Sequence, residues 1–117
     1  MLDWNEYHQQ VLARIGELGK LSLGTVRGYR ELSDAGNKTA KLDPKVRELI
    51  ALGVAVTREC DGCIIVHTDA AIRHGATKEE LAEALGVAIA VNAGAALVFS
   101  ARVLDAFEAK RSSAQTK

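Results

Sequence analysis

The chain has 117 residues, 48% of them hydrophobic, with 15 Lys plus Arg balanced by 15 Asp plus Glu, so its formal net charge is zero. That length suits one domain with a modest core, expected over residues 1–117 with the core at about 20–109. Balanced charge supplies no single-sign field to attract nucleic acid or an acidic membrane face, and it favours self-association at neutral pH.

The chain opens Met1-Leu2-Asp3-Trp4-Asn5-Glu6, without the basic and apolar regions of a secretory signal, so a cytoplasmic location is expected. From Trp4 to Leu18, Tyr7, Val11, Leu12, Ile15 and Leu18 recur at helical spacing and predict an amphipathic helix, with Trp4 and Tyr7 as packing anchors. A weaker helix is expected at about Leu23–Leu32. Asp34, Gly36, Asn37 and Lys38 give the stretch from Ser33 to Lys41 a loop composition. Asp43-Pro44 then reads as an N-cap followed by proline in the first helical position, starting a helix to about Arg58. Its run from Leu49 to Val56 is apolar on all sides, as in a central helix or one covered by another subunit.

A fourth helix is expected from Cys60 to His74, stopped by Gly75. Thr77-Lys78-Glu79-Glu80 fits a capping box that opens a fifth, to about Val91. Asn92-Ala93-Gly94 predicts a break or kink before a sixth helix, about Ala95–Ala109, and residues 110–117 read as a frayed tail. The most apolar stretch, Ala84 to Phe99, is shorter than a membrane span and interrupted by Asn92 and Gly94, so it is read as buried helix, with no membrane partner. No segment alternates as a half-buried strand does. The expected fold is all-α, a compact bundle of about six helices.

Two cysteines are too few for a disulfide framework, and a close pair in a reducing compartment points to catalysis, redox sensing or metal binding. On a helix from Cys60, Cys63 lies about 60° and His67 about 20° around the axis, so all three share one face. Cys60 at the helix N-terminus is placed where unsatisfied N–H groups favour thiolate. His67, one turn past Cys63, is a titratable group able to relay its proton. These are the parts of dithiol redox chemistry.

The order Glu48, Cys60-Asp61-Gly62-Cys63, His67 resembles the alkylhydroperoxidase D-like branch of the carboxymuconolactone decarboxylase superfamily. The phrases Leu42-Asp43-Pro44-Lys45-Val46-Arg47-Glu48 and Gly75-Ala76-Thr77-Lys78-Glu79-Glu80-Leu81 are similar to that family too, and the likeness covers about residues 40–108. It implies an all-helical homo-oligomer, trimer or hexamer, with the cysteine pair near a subunit interface. It implies reduction of a small hydroperoxide without a cofactor, and resetting of the disulfide by an external dithiol such as protein-bound lipoamide. Carried over, Cys63 attacks, Cys60 resolves, and Glu48 with His67 relays the proton; helix-terminus electrostatics alone nominates Cys60. Position 62, often aromatic or histidine in the superfamily, is glycine here.

Other readings compete. Cys60, Cys63, His67 and Glu48 have the ligand chemistry of a zinc site, but three would come from one helix, unlike structural zinc sites, so no metal is expected. The cysteines could be small buried hydrophobes. Glu48 alone reads as a helix-dipole partner, His74 as a C-terminal cap and Glu59 as solvent-facing. Asn92 reads as a hydrogen-bonded break. An acid–base enzyme like carboxymuconolactone decarboxylase would use Glu48 and His67 without a cysteine pair, and a non-catalytic redox sensor would use the pair without turnover.

Overall fold

The computed structural model describes residues 1–115. Five helices follow in order: α1 (Trp4–Leu21), α2 (Leu23–Thr39), α3 (Pro44–Thr57), α4 (Asp61–Arg73) and α5 (Lys78–Gln115), with no strand among the described residues. The all-α expectation therefore holds, with five helices where about six were expected.

The missing boundary is at Asn92-Ala93-Gly94. Instead of breaking the helix, the Asn92 carboxamide donates to Ala88 O at 2.8 Å and to the Thr57 hydroxyl of α3 at 2.8 Å. A polar side chain that looked like punctuation is a cross-link between helices. The expected tail at 110–117 is likewise helical as far as Gln115, its last two positions lying outside the described residues.

The segment from Ser33 also departs from its loop reading, because α2 continues to Thr39. Arg47 of α3 donates to Gly36 O (3.2 Å), Leu42 O (2.8 Å) and Asn37 Oδ1 (2.7 Å), so residues of poor helix propensity are held by a tertiary anchor. A Cβ on Gly36 would lie 2.9 Å from Arg47 Cδ, so a larger residue there would have to displace the Arg47 side chain.

Local rules set the other ends. Asp3 and Asp43 side chains accept from Glu6 N (3.1 Å) and Lys45 N (2.9 Å), satisfying donors at the starts of α1 and α3. The Thr77–Glu80 capping box forms in both directions, at 3.1 and 3.0 Å. Helix α3 ends in a Schellman motif, with Glu59 N bonded to Val56 O and Cys60 N to Ala55 O. Helix α4 repeats the motif with Gly75 N to Ile72 O and Ala76 N to Ala71 O. Gly75 adopts φ 82° at the second, whereas Glu59 takes the left-handed position, φ 52°, at the first.

Helix α3 is central, between α4 and α5, while α1 packs on α2 and α4. The buried core is small: Val26, Leu52, Ala55, Ala70 and Ala71. Small residues let helices approach, as where a Cβ on Gly53 would meet Ala88 at 3.6 Å. Beyond this core the chain leaves much apolar surface uncovered, and of the α1 stripe Leu12, Ile15 and Leu18 are exposed.

The reading of Ala84 to Phe99 as buried helix is corrected. Helix α5 buries no residue, every residue from Ala95 to Gln115 is exposed, and Leu97 and Phe99 keep 76% and 68% of their surface. Among the described residues none packs closely enough to bury any part of that half of α5, in keeping with the 63 Å long axis of a molecule 38 × 36 Å across. By length and composition alone α5 could cross a membrane.

Candidate active site

The redox turn is built by the α3–α4 connection. Its Schellman bond from Cys60 N to Ala55 O (3.1 Å) ends α3 and delivers Cys60 as the N-cap of α4. The expected helix start thus shifts by one residue, to Asp61, and Cys60 Sγ accepts the N–H of Cys63 at 3.2 Å. Cys60 and Cys63 form a disulfide, with Cα atoms 5.2 Å apart. Cys63 is exposed and Cys60 half-buried. The reading of the pair as two inert buried hydrophobes does not fit a solvent-facing Cys63.

His67 lies one turn beyond Cys63 on α4, where residues four apart are neighbours on one face. Its Nδ1 is 2.7 Å from Glu48 Oε2 of α3, and both side chains are about three-quarters shielded from solvent. An ionised carboxylate only accepts, so Nδ1–H is the donor, and a neutral imidazole then keeps Nε2 free to take a proton. Glu48 is therefore the orienting partner of His67, more than the helix-dipole residue its isolated position suggested. The pair borders a polar cleft of about 400 Å³, also lined by Asp34, Arg47 and His74.

Arg47, unnoticed in the sequence beyond its place in a family-like phrase, ties the end of α2 beside this pair through the three bonds given above. The only signal for it would have been its adjacency to Glu48. His74 caps α4, its N–H bonded to Ala70 O at 3.0 Å, and takes no part in the Glu48–His67 contact. Glu59 is exposed, as expected. Among the described residues no cluster of three or more His, Cys, Asp or Glu is arranged to hold a metal ion.

The profile of the carboxymuconolactone decarboxylase family matches residues 24–106, a span that contains Glu48, both cysteines and His67. The chain belongs to this family. It is 44% identical over 109 residues to an uncharacterized protein of Haemophilus influenzae, covering 93% of this chain and 96% of that one. An uncharacterized protein of Cupriavidus necator is 32% identical over 100 residues, covering 86% and 88% of the two chains. Among solved structures, an apo carboxymuconolactone decarboxylase family protein from Legionella pneumophila superposes with a TM-score of 0.72 at 33% identity, covering 90% of this chain and 94% of the other. Helix α1 and the first residue of α2 precede the span that the family profile matches, yet α1 packs against the redox helix.

Proposed function

We propose that this family member is a dithiol oxidoreductase of the alkylhydroperoxidase D-like kind that reduces hydroperoxides through a Cys60–Cys63 disulfide cycle. The observation that carries the reading is a cysteine pair within bonding distance at a helix start, one turn from a histidine held by a carboxylate. A decarboxylase would require the Glu48–His67 contact but no bonded cysteines.

In the reduced enzyme His67 Nε2 takes the Cys63 proton, and the thiolate attacks the terminal oxygen of the hydroperoxide. The S–O bond forms as the O–O bond breaks; sulfur is oxidised to the sulfenic acid, and the alkoxide leaves as alcohol once protonated. Cys60 then attacks the Cys63 sulfur, expelling water and closing the disulfide. An external dithiol, such as protein-bound lipoamide, returns two electrons by thiol–disulfide exchange and leaves as its own disulfide. Cys63 takes the attacking role because it is the solvent-facing sulfur, while Cys60 Sγ, receiving the Cys63 N–H, is held as the resolving thiol. No cofactor or metal enters these steps.

The exposed apolar surface of α5 belongs, in this proposal, to contacts between copies of the chain. An apolar groove of about 510 Å³ between α3 and α5, lined by Leu49, Ile50, Val54, Val87 and Val91, lies on the same chain as the uncovered apolar residues Leu97, Phe99 and Leu104. A bilayer fits less well, since the middle of the apolar stretch is bonded to α3 through Asn92 and Thr57. The assembly acts in the cytoplasm.

The test is thiol alkylation with mass spectrometry before and after one equivalent of hydroperoxide. Two alkylatable thiols should become none, and the Cys60→Ser protein should stop at a Cys63 sulfenic acid trapped by dimedone. Peroxide consumption at the native rate by both single Cys→Ser proteins would overturn the proposal.

A further inference from the structure

Resting on the peroxidase reading, we infer that Tyr7 of α1 is the acid that protonates the leaving oxygen of the hydroperoxide. The residue between the two cysteines nearest Cys63 is Gly62, which brings no side chain to the redox turn. Helix α1 crosses at that point: a Cβ on Gly62 would meet Val11 Cγ1 at 3.7 Å and the Tyr7 hydroxyl at 3.9 Å. Tyr7 is held by edge-on contact with Trp4, the ring centroids 6.2 Å apart, and is half-buried. No hydrogen bond from its hydroxyl to a described residue forms, so an unpartnered donor stands 3.9 Å from the Cβ position of Gly62, the residue next to Cys63. Glu48 and His67 take the thiol proton but come from α3 and from one turn further along α4. Tyr7 approaches from a different helix.

The chemistry needs such a donor. As the Cys63 thiolate attacks, the O–O bond breaks and its electron pair goes to the departing alkoxide. An alkoxide is a far stronger base than a phenolate, whose conjugate acid has a pKa near 10, so the Tyr7 O–H bond breaks toward it and alcohol leaves. The phenolate regains a proton from water, and the oxidation state of sulfur is that of the cycle already given. Tyr7 touches only the leaving group, so it should not change how readily Cys63 ionises.

The experiment uses the full-length reduced protein in single-turnover oxidation with a series of hydroperoxides whose alcohols differ in acidity. Tyr7→Phe keeps the ring and removes the donor. The expected result is a fall of about a hundredfold for the poorest leaving group, the lower end for a positioned proton donor, shrinking as the alcohol becomes more acidic. The pH profile of Cys63 alkylation by iodoacetamide should stay as in the native protein. Val11→Ala loosens the same α1 contact while leaving the hydroxyl, and should retain the native leaving-group dependence. A native protein that reacts while Tyr7→Phe matches it across the series, or a Val11→Ala protein with the same leaving-group defect, overturns the role of Tyr7 alone. A native protein inert to every hydroperoxide overturns the peroxidase reading and this role together.

Discussion

At the scale of single residues, the site divides its tasks between sulfur and proton. Glu48 and His67 exchange no electrons; their 2.7 Å contact orients the imidazole and fixes which nitrogen is free. His67→Gln should therefore slow thiolate attack by roughly a hundredfold or more while leaving disulfide formation possible, because a positioned base contributes about 10²–10⁴-fold. Glu48→Gln keeps a hydrogen-bond acceptor and loses the charge, so its loss should be smaller. Stopped-flow oxidation of each reduced variant checks both. Equal rates for native and His67→Gln proteins would remove the histidine from the mechanism.

At the scale of elements, the two Schellman turns make a controlled comparison. Both place one residue in the left-handed region, glycine after α4 and Glu59 after α3, immediately before the attacking turn. A side chain in that region costs on the order of 1 kcal/mol. Glu59→Gly should raise the unfolding free energy by roughly 0.5–1 kcal/mol and Gly75→Ala should lower it by about 1 kcal/mol or more, both read from urea denaturation midpoints. The start of α5 makes a pH prediction. The Lys45 ammonium, 2.8 Å from Glu80 and hydrogen-bonded to it, together with the Thr77 N–H, holds the Glu80 carboxyl below its ordinary value of 4.5. The same contact raises Lys45 above 10.5. A depressed acid stabilises the fold above its unfolded pKa and loses that contribution as pH falls through the folded value; the raised amine contributes below its unfolded pKa and loses it at high pH. Glu80→Gln should thus lower the melting temperature at pH 7 and hardly at all near pH 3. Equal losses at both pH values would show that the cap, and not the charge, carries the effect.

At the scale of the whole molecule, α5 decides the behaviour of the chain. Its exposed apolar surface exceeds the scattered single hydrophobes that a soluble monomer tolerates. If copies cover it, Phe99→Glu with Leu104→Glu should shift sedimentation velocity to a smaller species while helicity by circular dichroism is retained up to α4 and the first half of α5. An unchanged sedimentation coefficient would place the contact elsewhere. Because the redox turn at the start of α4 packs against α1 and α3 while the groove lies between α3 and α5, peroxide oxidation of the cysteines should survive in the smaller species.

What was legible in the sequence is what backbone chemistry decides within about one helical turn. Asp43-Pro44, the Thr77–Glu80 box and the Gly75 stop all depend on partners two to five residues away, so spacing alone specifies them. The tertiary structure decided what distant partners control. Glu48 meets His67 across 19 residues, Asn92 meets Thr57 across 35, and Arg47 rescues the end of α2 across 10 or 11. Tyr7 reaches Gly62 only because α1 folds back on α4. In each case a polar or small residue has the same local propensity whether it ends a helix or joins two, and only the partner brought by packing distinguishes them.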